Sequence, residues 1–331
     1  MFYMKNATKF IISKLFASTL LVSTMCVYGN DTKQYDAEGI ADVFYALNGD
    51  SKDPHKKINH TKGFCANGEF IPANNIAKTL NIPLLKEKSI KTEVRYSLGG
   101  GSRVASDKSK PRGMALKIQG EKDEWEIVML NTEINFAKNP QEFGEFFAMR
   151  IPKDGKVDTA YIAKRTSEVA SYKNFEEYMK NIGITGSVAN TMYHSIHTFY
   201  FKDNKNKLIP ARFKFVPANG VAYLKENELQ KLSNDFLESD FKEKSKNAPI
   251  AYKMILVLAN PKDKTDDTTA LWSDKHKEIE VGTLLVKQYN GDVCNGDVFM
   301  PNVLPNGVEA PKDPLFETRN DVYSITFGRR Q

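Results

Sequence analysis

Between residues 88 and 289 the chain returns repeatedly to short runs in which apolar and polar residues alternate. Clear examples are KTEVRYSL at 91–98, GMALKIQG at 113–120, EWEIVMLNTEINF at 124–136, SIHTFYF at 195–201, ARFKFVP at 211–217, AYKMILVLA at 251–259 and EVGTLLVKQY at 280–289. A period of two, bounded by Gly and by Asp/Lys clusters, marks antiparallel strands with one face turned to a core. About seven or eight such strands in one chain are most economically closed into a barrel, because closure leaves no exposed edge. Helical spacing is confined to other stretches, at 139–152, at 174–184, at 224–244 with Leu229, Leu232 and Phe236 as a core-facing stripe, and at the C-terminus from 313 to 330. The class is therefore α+β.

No internal repeat and no Pro/Gly-rich gap divides the chain after its first 29 residues, so residues 30–331 read as one domain. Residues 1–29 differ in kind: Lys5, Lys9 and Lys14 precede an apolar run that ends in Val27-Tyr28-Gly29. Charge, then a short apolar core interrupted by Ser and Thr, then small residues is the pattern of a cleaved secretory signal, and the expected destination is the periplasm. The apolar run is too short for the roughly 20 residues of a membrane span. Without the segment, the formal charge falls from +6 to +3, too little to indicate a nucleic-acid partner. Two cysteines then remain, Cys65 and Cys294; an oxidising compartment would permit a disulfide, and the sequence leaves open whether they pair.

Among the five histidines, at 55, 60, 194, 197 and 276, only His60 sits in a segment with a recognisable pattern. From His60 to Phe70 the chain reads HTKGFCANGEF, similar to the H-A-K-G-x-x-A-x-G-x-F segment of haem catalases. Further matches follow in order. Val94-Arg95-Tyr96-Ser97 resembles V-R-F-S, 111–117 (PRGMALK) resembles P-R-G-F-A-x-K, and Trp125-Glu126-Ile127-Val128 resembles W-D-x-V. His197-Thr198-Phe199 is similar to H-T-F/Y and Val281-Gly282-Thr283-Leu284 to V-G-x-L/M. Asp313-Pro314-Leu315 then leads to Arg319 and Tyr323, in the R-x-x-x-Y spacing that carries the proximal tyrosine. By these motifs, with the chain stopping eight residues after Tyr323, the sequence is identified as a member of the catalase-related peroxidases, or minimal catalases.

The resemblance implies an eight-stranded antiparallel barrel with helical insertions, a C-terminal helix and one haem b. Tyr323 would ligate the iron. Arg319, one helical turn earlier, would ease the loss of a phenolic proton whose ordinary pKa is about 10. His60 would move the peroxide proton, with Ser97 on its second ring nitrogen. Lys57, Arg95 and Arg330 would hold the haem propionates, and Phe143 would pack near the haem on the distal side. Three positions depart from the family pattern: Leu130 stands where the distal asparagine is expected, Asn135 where a distal phenylalanine is expected, and Asn59 where an apolar residue lines the channel. Disproportionation requires a second hydrogen peroxide to be oriented over the haem, and Leu130 removes a donor for that. The implied activity is therefore a peroxidase reducing organic hydroperoxides, and hydrogen peroxide to some extent, with electrons from a small-molecule or protein donor. The alternatives are a true catalase, a non-catalytic haem-binding barrel, or a lyase acting on fatty hydroperoxides. Without long interlocking arms the expected assembly is a monomer or dimer.

Overall fold

The computed structural model describes residues 35–331; the predicted signal segment lies outside the described residues. Eight strands close the expected barrel. β1 (Gly63–Pro72), β2 (Ile90–Leu98), β3 (Arg112–Gln119) and β4 (Glu124–Leu130) form an antiparallel meander. From β4 the ring passes through the short β5 (Tyr193–His194) to β7 (Leu208–Pro217), then β8 (Ile250–Leu258) and β9 (Glu278–Tyr289), which pairs back onto β1. Two further strands, β6 (Phe199–Lys202) and β10 (Val308–Glu309), extend β7 outside the ring.

Two of these strands depart from the alternation pattern. β1 was read only as a motif, because its Gly and Asn dilute the apolar–polar rhythm. The 195–201 run is not one strand: the chain bends between β5 and β6, where the Ser195 hydroxyl accepts from Phe213 N–H and donates to His197 O.

Alternation decides which face does what. Val94, Tyr96, Leu98, Met114, Leu116, Ile118, Trp125, Ile127 and Met129 point into the barrel and join one continuous core. Each fully buried side chain of this kind contributes about 1.5–3 kcal/mol. Their sequence neighbours point outward. In register across the outer face lie two rows, Cys65–Arg95–Ala115–Val128 and Gly63–Ser97–Gly113–Leu130.

Helices cover that outer face. α1 (Ala37–Asn48), capped by the Asp36 carboxylate, packs against α2 (Pro140–Ala148) and α7 (Leu315–Gly328). α2 starts with Asn139 accepting from Glu142 N–H and Pro140 at the first turn, the arrangement its sequence leads one to expect. A second, smaller core of Ile40, Phe44, Ile58 and Val322 joins α1 to α7 and to the loop before β1, while Phe316 of α7 belongs to the barrel core. α3 (Thr159–Glu168) and α4 (Ala170–Lys180) follow α2. The helical stretch expected over 224–244 is instead two helices, α5 (Glu226–Lys231) and α6 (Phe236–Asn247). The break is held by Asp107, whose N–H donates to Asn234 O and whose carboxylate accepts from Leu237 N–H.

Candidate functional site

Between the outer rows of β2–β4 and the cover of α1, α2 and α7 lie two adjoining cavities of about 120 and 270 Å³. His60 and Tyr323 line both. The first also meets Lys57, Arg95, Ser97 and Arg330; the second meets Arg319, Leu130, Asn135 and Phe143. The structure thus brings together all eight residues singled out from the sequence, although they span positions 57 to 330.

His60 adopts a left-handed backbone conformation with φ of 51°, costly for a residue with a Cβ. The strain is held in place by the Asn59 side chain, whose amide oxygen accepts from His60 N–H at 2.9 Å and from Gly100 N–H at 3.2 Å. Asn59 therefore acts on the backbone as well as lining the cavity. The imidazole Nδ1 meets Ser97 Oγ at 3.0 Å. Gly113, between Ser97 and Leu130 in the outer row, makes room for the ring: a Cβ there would stand 2.9 Å from Ser97 Oγ and 3.1 Å from the imidazole. Burial, reinforced by Arg95, Lys57 and Arg319, pushes the His60 pKa down to about 3, so the ring is neutral at ordinary pH.

On α7, the Arg319 guanidinium reaches the Tyr323 hydroxyl at 3.3 Å and also contacts His197 Nε2. A guanidinium only donates, so Nε2 accepts, the ring proton sits on Nδ1, and Nδ1 donates to the Asp313 carboxylate at 2.7 Å. Asp313, His197, Arg319 and Tyr323 form one chain of contacts behind the cavity. In the sequence His197 and Asp313 stand out only as motif positions. Their pairing across 116 residues leaves no local trace beyond the H-T-F and D-P-L matches themselves.

At the other edge three cations converge. Lys57 Nζ donates to Asp297 O at 2.6 Å, Arg95 to Asn295 Oδ1 at 2.9 Å and to His60 O at 2.8 Å, and Arg330 to Asp297 O at 2.8 Å. Their partners are neutral acceptors. The nearby Asp297 carboxylate is 3.3 Å from a fourth cation, Lys117. Burial and then the adjacent Arg95 and Arg330 push Lys57 down to about 6, and burial followed by Arg330 takes Arg95 to about 10. Such a cluster favours an incoming anion.

The larger cavity is walled by six phenylalanines, at 44, 136, 143, 146, 147 and 175. Phe143 stacks on Phe136 and meets Phe44 edge-on, with ring centroids 5.1 and 6.1 Å apart. Leu130 faces this cavity where an amide donor was expected. Neither nearby asparagine replaces it freely. Asn131 is tied to Arg112 N–H and Lys110 O, and Asn135 to Phe136 N–H and Ala137 O. The Thr132 hydroxyl lines the same cavity and is fully buried without a hydrogen-bond partner among the described residues.

Basic side chains along one edge, aromatic walls and a tyrosine hydroxyl backed by a guanidinium are a lining that would fit a haem, with its carboxylates at the edge and its metal at Tyr323. A barrel that keeps its inside packed and works on such a group under a helical cover defines the class. Comparison with known proteins gives the family, since residues 51–330 match the family model described as Catalase. The chain belongs to the catalase family.

Catalase-related peroxidase of Synechococcus elongatus is 29% identical over 320 residues, 94% of either chain. Catalase-related peroxidase of Mycolicibacterium paratuberculosis is 22% identical over 82% of this chain and 88% of that protein. Among solved structures, catalase A from Saccharomyces cerevisiae superposes with a TM-score of 0.75 at 18% identity, covering 83% of this chain and 61% of that one. That likeness concerns the fold, and the chain spans about six tenths of the solved catalase.

Proposed function

We propose that this catalase-family member, a haem peroxidase by kinship, reduces organic hydroperoxides, and hydrogen peroxide less readily, with electrons from an external donor. The observation that carries the reading is Leu130, which lines the cavity with His60 while Asn131 and Asn135 are committed to backbone partners, so among these residues no free amide is left to orient a second hydrogen peroxide. Haem b is the proposed cofactor, with Tyr323 on the iron, Lys57, Arg95 and Arg330 on the propionates and Phe143 against the distal face. When bound, it supplies a redox-active iron at which the O–O bond breaks and to which the donor returns two electrons.

The chain's own residues supply the rest. Neutral His60, its Nδ1 proton held toward Ser97, takes the hydroperoxide proton on Nε2 and delivers it to the departing alkoxide oxygen, giving an alcohol; with two electrons and two protons from the donor the second product is water. Proton transfer of this kind contributes roughly 10²–10⁴ in rate. Arg319, oriented by His197 and Asp313, donates to the Tyr323 oxygen and would hold it toward the iron. Export to the periplasm is proposed on the basis of residues 1–29, and a disulfide between the two remaining cysteines supports it.

The test is to load purified protein with haem and follow dye oxidation driven by cumene hydroperoxide alongside oxygen release from hydrogen peroxide. Dye oxidation lost in His60→Ala, with little oxygen released, is the expected result. Brisk oxygen release would make the protein a true catalase; bound haem without turnover would leave a haem-binding barrel.

A further inference from the structure

Segment 290–300, between β9 and β10, forms the wall that all three edge cations lean on. Asp297 O takes both Lys57 and Arg330, and Asn295 Oδ1 takes Arg95. This segment has no regular secondary structure. The barrel holds its far end through Lys117, which pairs with Asp297, and Glu126, which accepts from Met300 N–H; its near end is held by one residue. Cys65 pairs by its backbone with Asn290 and Gly291, at 2.8 Å each, and by a disulfide with Cys294, with the Cα atoms 5.9 Å apart. Cys65 shares an outer-face row with Arg95, so the bond ties the wall to the strand that carries one of the cations. Phe299, further along, packs with both cysteines in a small buried cluster.

We infer that the Cys65–Cys294 disulfide positions the edge cations, and that firm loading of the cofactor follows oxidation of this pair. The inference rests on the reading that haem carboxylates meet Lys57, Arg95 and Arg330. Both sulfurs are buried, 0% and 1% exposed by residue, so a solution reductant does not reach them in the folded protein. The bond therefore forms before segment 290–300 closes: the two thiols are oxidised by exchange with a disulfide-bearing partner, which leaves as two thiols carrying the two protons. Thereafter it acts as a permanent staple across 229 residues. Without it, the carbonyls and amide that orient the cations are held by an unstructured segment, and the cations lose their fixed geometry toward a planar guest.

The experiment compares the wild-type protein with the double variant Cys65→Ala, Cys294→Ala, both haem-loaded, by transfer of haem to an excess of a haem-scavenging apoprotein. The expected variant keeps the wild-type far-ultraviolet circular dichroism and Soret position, since the iron ligand is untouched, but releases haem about tenfold faster, the loss of roughly one charge-assisted contact. Release at the wild-type rate overturns the proposal. The underlying reading is tested separately by Arg330→Leu in the wild-type background: unchanged release there means that the cations do not hold the carboxylates, whatever the disulfide does. If the double variant does not fold, wild-type chains refolded with haem and a glutathione redox pair are separated by bound haem, denatured, and only then treated with a thiol-labelling reagent. Haem-bearing chains without free thiols support the inference, and haem-bearing chains with both thiols labelled overturn it.

Discussion

A buried histidine beside arginines behaves unlike one in water. With its pKa pushed down to about 3, His60 stays neutral from below pH 4 upward, so its capacity to accept a proton does not fall off near 6.5. The second-order rate with hydroperoxide is expected to be flat from about pH 5 to 8, measured by stopped-flow; an acid limb near 6.5 that disappears in His60→Gln would contradict this. Lys57 makes the complementary case. In the cofactor-free protein its pKa is about 6, so at pH 7.5 it is mostly neutral, and an arriving carboxylate raises the value and draws in a proton. Haem binding at pH 7.5, titrated calorimetrically in two buffers of different ionisation enthalpy, should take up about one proton more in the wild type than in Lys57→Met. Equal proton counts would mean that Lys57 does not face the propionates.

At the scale of elements, the site is a property of strand register. One cross-strand row sets Ser97, Gly113 and Leu130 side by side, and each has a separate consequence. Gly113→Ala drives a methyl group against Ser97 Oγ and the imidazole, and the loop holding His60 is the softer partner. Peroxide turnover should drop by about 10² while the thermal unfolding midpoint moves little, because the barrel core lies on the other face. Leu130→Asn places an amide donor toward the larger cavity and should raise oxygen release from hydrogen peroxide about tenfold or more relative to dye oxidation. No change in that ratio would remove Leu130 from the explanation of substrate choice. Much of this was legible beforehand. The alternation in β2, β3 and β4 places Arg95 and Ser97 on the face opposite Val94 and Tyr96, and the ordered motifs marked His60 and Tyr323. What stayed hidden is of three kinds. β1 carries residues chosen for close approach, among them Gly63, Cys65 and Gly68, and so lacks the rhythm of a strand. The break between α5 and α6 is imposed by Asp107, more than a hundred residues away. The Asp313–His197 pair and the Cys65–Cys294 bond join positions whose proximity exists only once the barrel has closed.

The whole molecule is unevenly built, and its function depends on that unevenness. A single large core fills the barrel and takes in Phe316 of α7, whereas α1 is held to α7 and the loop before β1 by a small cluster of Ile40, Phe44, Ile58 and Val322. Arg329 on α7 pairs with Glu38 and Asp42 on α1, but exposed ion pairs of this sort contribute only about 0–1 kcal/mol each. α1 is thus the part of the cover most able to open by itself, and opening it exposes both cavities between cover and barrel, which Phe44 lines. Haem would bind across that seam, touching α7 through Tyr323 and β2 through Arg95, so binding should add its free energy mainly to the weaker side. Hydrogen exchange followed by mass spectrometry tests this. In the haem-free protein, amides of α1 should exchange well ahead of those in β2, β3 and β4. Haem should slow that helix by about tenfold or more and leave the strands nearly unchanged. Equal slowing of strands and helix would mean that cover and barrel unfold as one unit, and that the cofactor enters before the fold closes, not through the seam.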